Sequence, residues 1–146
     1  MKKAGFIFSL FLISNIIFCQ NYVSKSDTSA TRYPDGNYSG SSRSIYEGEP
    51  YWGIIRMNIK DGKFTDVSFM IRDSALHETF NDGYARHFAG NEVYIQQTKN
   101  DWNGVRTYPS RLMEKQDIEK VDVITGATWS YNIFRASFTE ALKKNN

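Results

Sequence analysis

Cysteine is almost absent from this 146-residue chain, which has one, Cys19. It closes an N-terminal stretch in which Lys2 and Lys3 precede an apolar run from Ala4 to Phe18, the layout of a secretory signal peptide. The run falls short of the about 20 apolar residues that span a bilayer, so it is expected to be removed on export. Cleavage between Cys19 and Gln20 fits best; a lipid anchor on Cys19 is the rival reading, which the bulk of Phe18 disfavours. An exported chain without its cysteine folds without disulfides and must rely on its core. A chain of this length buries roughly two thirds of its unfolded surface, enough for one domain.

An excess of one charge is also missing. The chain has 18 basic residues, and once Lys2 and Lys3 leave with the leader the remaining 16 face 16 acidic ones. Nucleic acid and acidic membrane surfaces, which need clustered Lys and Arg, are therefore not expected partners. Histidine is limited to His77 and His87, whose spacing fits no zinc motif, and His77-Glu78 lacks the second histidine of His-Glu-x-x-His. Asp61, Asp66 and Asp73 lack calcium-loop order. No Gly-x-Gly-x-x-Gly follows a strand and no Gly-x-Ser-x-Gly is present, so neither a built-in nicotinamide site nor a hydrolase is indicated. These absences leave no metal ligand and no catalytic residue to assign. Without internal repeats or a second composition regime, the chain divides into a signal peptide (1–19), a flexible polar lead-in (20–32) and one domain (33–146).

What is present is mostly patterned β-structure followed by a helix. Residues 35–40 (DGNYSG) lead into an irregular first strand; 52–59 (WGIIRMNI) and 64–71 (FTDVSFMI) pair around Asp61-Gly62, which supplies the positive φ angles of a tight hairpin. Beyond Asp73 the pattern weakens. Residues 84–89 fit a short helix, 92–98 (EVYIQQT) either helix or strand, 100–104 a loop by composition, 109–116 a helical turn and 120–124 a short strand. Residues 129–143 form the clearest helix, with Tyr131, Phe134, Phe138, Ala141 and Leu142 on one face. Thr128 stands where a side-chain N-cap belongs, and Lys143 complements the helix dipole. The expected fold is α+β: an antiparallel β-meander packed against a C-terminal helix and short helices.

The junction before that helix, Thr125-Gly126-Ala127-Thr128, has two readings. In the structural one Thr128 caps, Gly126 turns and Ala127 fits a tight corner. In the functional one the free N–H groups and partial positive charge of a helix N-terminus receive a phosphate, which Gly126 lets approach. Residues 122–130 (DVITGATWS) resemble the flavinylation motif of the FMN-binding domain family, which includes flavin-carrying subunits of sodium-pumping and Rnf-type redox complexes. The resemblance extends to Asp35-Gly36-Asn37-Tyr38, like the family's opening turn, and to the Asp61-Gly62 hairpin, so that 33–142 can be laid on the domain. It departs at Glu78-Thr79-Phe80-Asn81, where many members carry Glu-Thr-Pro-Gly.

The resemblance implies that Thr128 bears FMN through a phosphodiester bond made by a separate flavin transferase. Thr125, Gly126 and Ala127 then shape the phosphate corner, beside Ser130. Asp122 serves recognition by the transferase or orientation of the turn, and Glu78 and Thr79 lie on the flavin-ring side. Trp129, Tyr131 and Trp52 are candidates for ring contact, with ordinary core packing the alternative for each. FMN performs the redox chemistry, so the protein need only hold and tune it. The expectation is an exported electron carrier of the periplasm or cell envelope, working with membrane redox partner proteins, rather than a stand-alone enzyme. The competing readings are a non-covalent FMN or phosphate-ligand module and a small flavin-dependent reductase.

Overall fold

A computed structural model describes residues 33–143. The signal peptide, the lead-in and Cys19 lie outside the described residues. Strand β1 (Gly36–Arg43), β2 (Tyr51–Lys60), β3 (Lys63–Asp73) and the two-residue β4 (Glu78–Thr79) form one antiparallel sheet in the order β1-β2-β3-β4. A 3-10 helix (Asp82–Phe88) leads to α1 (Glu92–Lys115), and a 3-10 turn (Ile118–Lys120) precedes α2 (Thr128–Lys143).

Alternation builds the meander. In β2, Gly53, Ile55, Met57 and Ile59 face inward while Trp52 and Arg56 face solvent. Asp61 and Gly62 turn the hairpin with φ of 52° and 69°. Their N–H groups donate to the Asp35 carboxylate at 2.9 and 2.8 Å, so the opening Asp-Gly turn braces the hairpin from the neighbouring strand. A bulge between Asn58 and Ile59 of β2, opposite Thr65, lets Phe64 and Val67 both point inward. Helix α2 lies across β1 and β2, α1 across β3, and the helices meet each other over the same inner face. The larger core gathers Ile55, Phe64, Leu112, Phe134 and Phe138; a smaller one around Ile71, Phe80, Tyr84 and Ile133 borders the candidate site.

The α+β meander and the C-terminal helix stand as expected, but the middle of the chain differs. Residues 100–104 are the interior of α1, not a loop. Asp101, Gly104, Val105, Tyr108 and Leu112 recur at helical spacing and are buried against the rest of the molecule, which overrides the local composition. Residues 92–98 begin that helix, 109–116 end it, and Pro109 sits inside it. Residues 120–124 are no strand: after the 3-10 turn the chain joins no sheet, and side chains take the place of a ladder. Tyr131 Oη donates to Val121 O at 2.7 Å, Arg111 Nη1 to Asp122 O at 3.2 Å, and Ile124 N donates to Tyr108 Oη at 3.2 Å.

Candidate functional site

The Thr125–Thr128 turn is held by α1. Gln97 Nε2 donates to Gly126 O at 2.8 Å, and Tyr108 Oη donates to Ala127 O at 2.9 Å. Asp101 Oδ1 accepts from Ser130 N at 3.0 Å and from Ser130 Oγ at 2.9 Å. Thr128 is therefore not the cap of α2 but its first residue. Ala127 takes the cap position, its carbonyl accepting from Tyr131 N at 3.1 Å, and Asp101 supplies the acceptor that an alanine lacks. The Thr128 side chain, with no capping task, is exposed.

Small residues are required here by contact. Gly126 has φ of 77°, and a Cβ on it would stand 2.6 Å from Asn100 Nδ2. A Cβ on Gly104 would meet Ser130 Oγ at 2.6 Å and Ala127 Cβ at 2.9 Å, so the absent side chain lets α1 approach the start of α2. Ala127 itself is fully buried. The first-turn N–H groups of Thr128 and Trp129 have no carbonyl one turn earlier in the helix, leaving them to a ligand or water.

Beside this turn opens a cleft of about 340 Å³, within the size range of small-ligand sites. Trp129 forms one wall, edge-on to Tyr51 at 4.9 Å between ring centroids and tilted against Phe80 at 5.2 Å. Phe88 and the half-exposed Tyr46 and Tyr94 complete its apolar side. Trp129 Nε1 donates to Glu49 Oε2 at 2.8 Å, and Ser44 Oγ donates to the same carboxylate. Tyr51 hydrogen-bonds the Tyr84 hydroxyl at 3.1 Å, and Tyr84 in turn donates to Asp73. Gln97 and Asp101 of α1 also line the cleft. Burial pushes the Asp101 carboxyl above the usual range, only partly offset by bonds from Gln97 and Ser130.

Of the residues singled out in sequence, the fold brings Gly126, Ala127, Thr128, Trp129 and Ser130 together at the head of α2, with the exposed Thr125 and Asp122 leading in. Glu78 and Thr79 form β4, one residue from the cleft wall. Glu78 is engaged by Arg86 at 2.7 Å and His87 at 2.9 Å, and the His87 bond, foremost, holds its carboxyl below the usual range. In place of Pro-Gly, Phe80 forms part of the wall and Asn81 caps the following 3-10 helix, accepting from Gly83 N at 2.9 Å. Trp52 and Tyr131 do not reach the cleft. Trp52 lies on the outer face of the sheet beneath Arg43, and Tyr131 packs on Tyr108.

Sequence reasoning missed Gln97, Asp101 and Tyr108, which hold the turn, and Glu49, Tyr51 and Phe80, which form the cleft. The i, i+4 and i+11 spacing of the first three was the available signal, lost where Asn100–Gly104 read as a loop. The arrangement suits FMN: an aromatic slot for the ring, and at its border a helix N-terminus and an exposed hydroxyl for the phosphate.

A crystal structure of a Clostridium perfringens protein is 22% identical, matches over 75% of this chain and 86% of its own, and has a TM-score of 0.57, which identifies the same fold. A solution structure of a Clostridium thermocellum protein is 17% identical over 78% of this chain and 93% of its own, with a TM-score of 0.43. No curated protein matches. The family model of the FMN-binding domain matches residues 48–143, from the loop before β2 through the whole of α2. The chain belongs to the FMN-binding domain family, and FMN is its cofactor.

Proposed function

We propose that this protein is an exported electron carrier whose FMN is linked through its phosphate to Thr128, with the flavin ring in the aromatic cleft. The observation that carries this reading is the position of Thr128: exposed, released from capping by Asp101, and next in sequence to the tryptophan that walls the cleft. When bound, FMN supplies reversible electron uptake and release. The chain's own residues do the rest. Gln97, Asp101 and Tyr108 fix the turn, the N–H groups of Thr128 and Trp129 offer donors to phosphate oxygens, and Tyr51, Phe80 and Trp129 shield the ring.

Several features favour a covalent over a dissociable phosphate. The side chains that hydrogen-bond the backbone of the turn and the first residues of α2 are an amide, a carboxylate and a phenol, none of them a cation. A doubly charged phosphate monoester ordinarily draws Lys or Arg, whereas a diester carries less charge and is retained by its bond. The half-exposed Tyr46 and Tyr94 at the cleft mouth give a partner protein an apolar approach to the ring. Export, the periplasmic or envelope location and the membrane redox partners rest on the leader-like N-terminus and the family resemblance.

The intact mass of denatured protein, produced with a flavin transferase, tests this reading. The expected gain is FMN less one water on the peptide containing Thr128, lost in Thr128→Ala and retained at least in part in Thr128→Ser. Colour released on denaturation would instead identify a non-covalent module. Steady turnover of a diffusible acceptor by the purified protein would favour a reductase.

A further inference from the structure

The cleft is electrically one-sided. Of its lining side chains, Glu49 comes from the β1–β2 connection and Asp101 from α1, while neither Lys nor Arg lines it. The phenols of Tyr46, Tyr51 and Tyr94 complete the titratable lining. Behind the wall, Tyr84 is bonded to Asp73, and the nearby His87 and Arg86 are committed to Glu78. Donors are scarce as well. Trp129 Nε1 is given to Glu49, and Gln97 Nε2 to Asp101 and Gly126. Because Tyr84 spends its proton on Asp73, Tyr51 must donate to Tyr84 and shows the cleft only its oxygen lone pairs.

A flavin ring changes charge according to how many protons accompany its electrons. Two electrons and two protons give a neutral reduced ring, whereas two electrons and one proton leave it anionic. In a cleft walled by apolar rings, where a bound ring is partly shielded from water, nearby carboxylates without a cation opposite them oppose the anion. We propose that Glu49 and Asp101 set the redox behaviour of the cleft by keeping the reduced ring in its doubly protonated, neutral form to higher pH than in free FMN. This inference rests on FMN occupying the cleft. Glu49, fixed by Trp129 and Ser44, and Asp101, fixed by Ser130 and Gln97, are held by bonds independent of the ligand, so both carboxyl groups are in position before it arrives.

The test is a plot of midpoint potential against pH for the flavin-loaded full chain, with electrons supplied by dithionite through mediator dyes and free FMN as reference. Potential falls with a two-proton slope until the reduced ring loses its second proton, and then with the shallower one-proton slope. The break in the wild-type protein is expected at higher pH than in free FMN. Glu49→Gln, which keeps an acceptor for Trp129, and Asp101→Asn, which keeps one for Ser130, should each move the break back toward that of free FMN and raise the potential above it. The double variant should move it further. A wild-type break at or below that of free FMN, or a break unmoved in Glu49→Gln while circular dichroism and quenched flavin emission report an intact occupied cleft, would overturn the inference. Protein that carries no flavin by mass or colour would overturn the occupancy reading itself, and this one with it.

Discussion

The Tyr84 hydroxyl has one proton, and Asp73 takes it. Asp73 is 2% exposed and also accepts from Ala75 N at 2.8 Å and Leu76 N at 3.0 Å, so its charge is surrounded by donors. Burial alone would raise its carboxyl, but the bonds from Tyr84, Leu76 and Ala75 outweigh it and hold the group below the usual range. Tyr84→Phe should cost about 1–3 kcal/mol in urea unfolding, because a buried carboxylate loses its partner. It should also free Tyr51, whose hydroxyl could then turn to the cleft as a donor. At Gly126 the constraint is backbone and neighbour together. Gly126→Ala meets both the positive φ and the Asn100 amide, and a loss of about 1–2 kcal/mol is expected from the backbone term alone by denaturant titration.

Helix α1 decides how the elements fit, and it was the element least readable in sequence. The meander and α2 were legible because their apolar periods run unbroken and their turn chemistry is explicit. The middle of α1 instead reads Asn-Asp-Trp-Asn-Gly, with Pro109 following, and local propensity opposes the helix that tertiary contacts impose. The candidate site divides in the same way. The phosphate corner sits in one contiguous motif and could be read, whereas the cleft draws on five separate segments and only the fold assembles it. Trp52, an aromatic on a well-patterned strand, looked eligible for ring contact because alternation alone does not say which face of the sheet a distant helix will cover. The end of α1 is fastened to β3 by Gln116, whose side chain accepts from Phe64 N at 2.7 Å and donates to Phe64 O at 3.1 Å. Gln116→Ala should strip both partners, lower stability by about 1–3 kcal/mol and speed hydrogen exchange at the Phe64 amide, read by NMR. Gly104→Ala should push α1 from α2 at a cost of about 1–3 kcal/mol and reduce flavin loading, measured on the same preparation by unfolding and absorbance.

Across the whole molecule the carboxylates work against each other as pH changes. Asp73 and Asp35 have folded pKa values below their ordinary 3.8, so their stabilisation is present above that value and is lost as pH falls through the folded ones. Asp101 is raised, so its contribution is present below 3.8 and is lost as pH rises through its folded value. Thermal midpoints across the acid range should therefore show a shallower acid limb in Asp73→Asn and, in Asp101→Asn, less decline on the side approaching neutrality. The aromatic wall has a consequence of another kind. On the proposed reading, a flavin packed on Trp129 and Tyr51 would lose its emission to those electron-rich rings, and a ring tethered at Thr128 would keep its covalent bond when the wall comes apart. Unfolding of the loaded protein would then switch on green fluorescence without releasing the dye, giving each molecule its own optical gauge of whether its tertiary structure is closed.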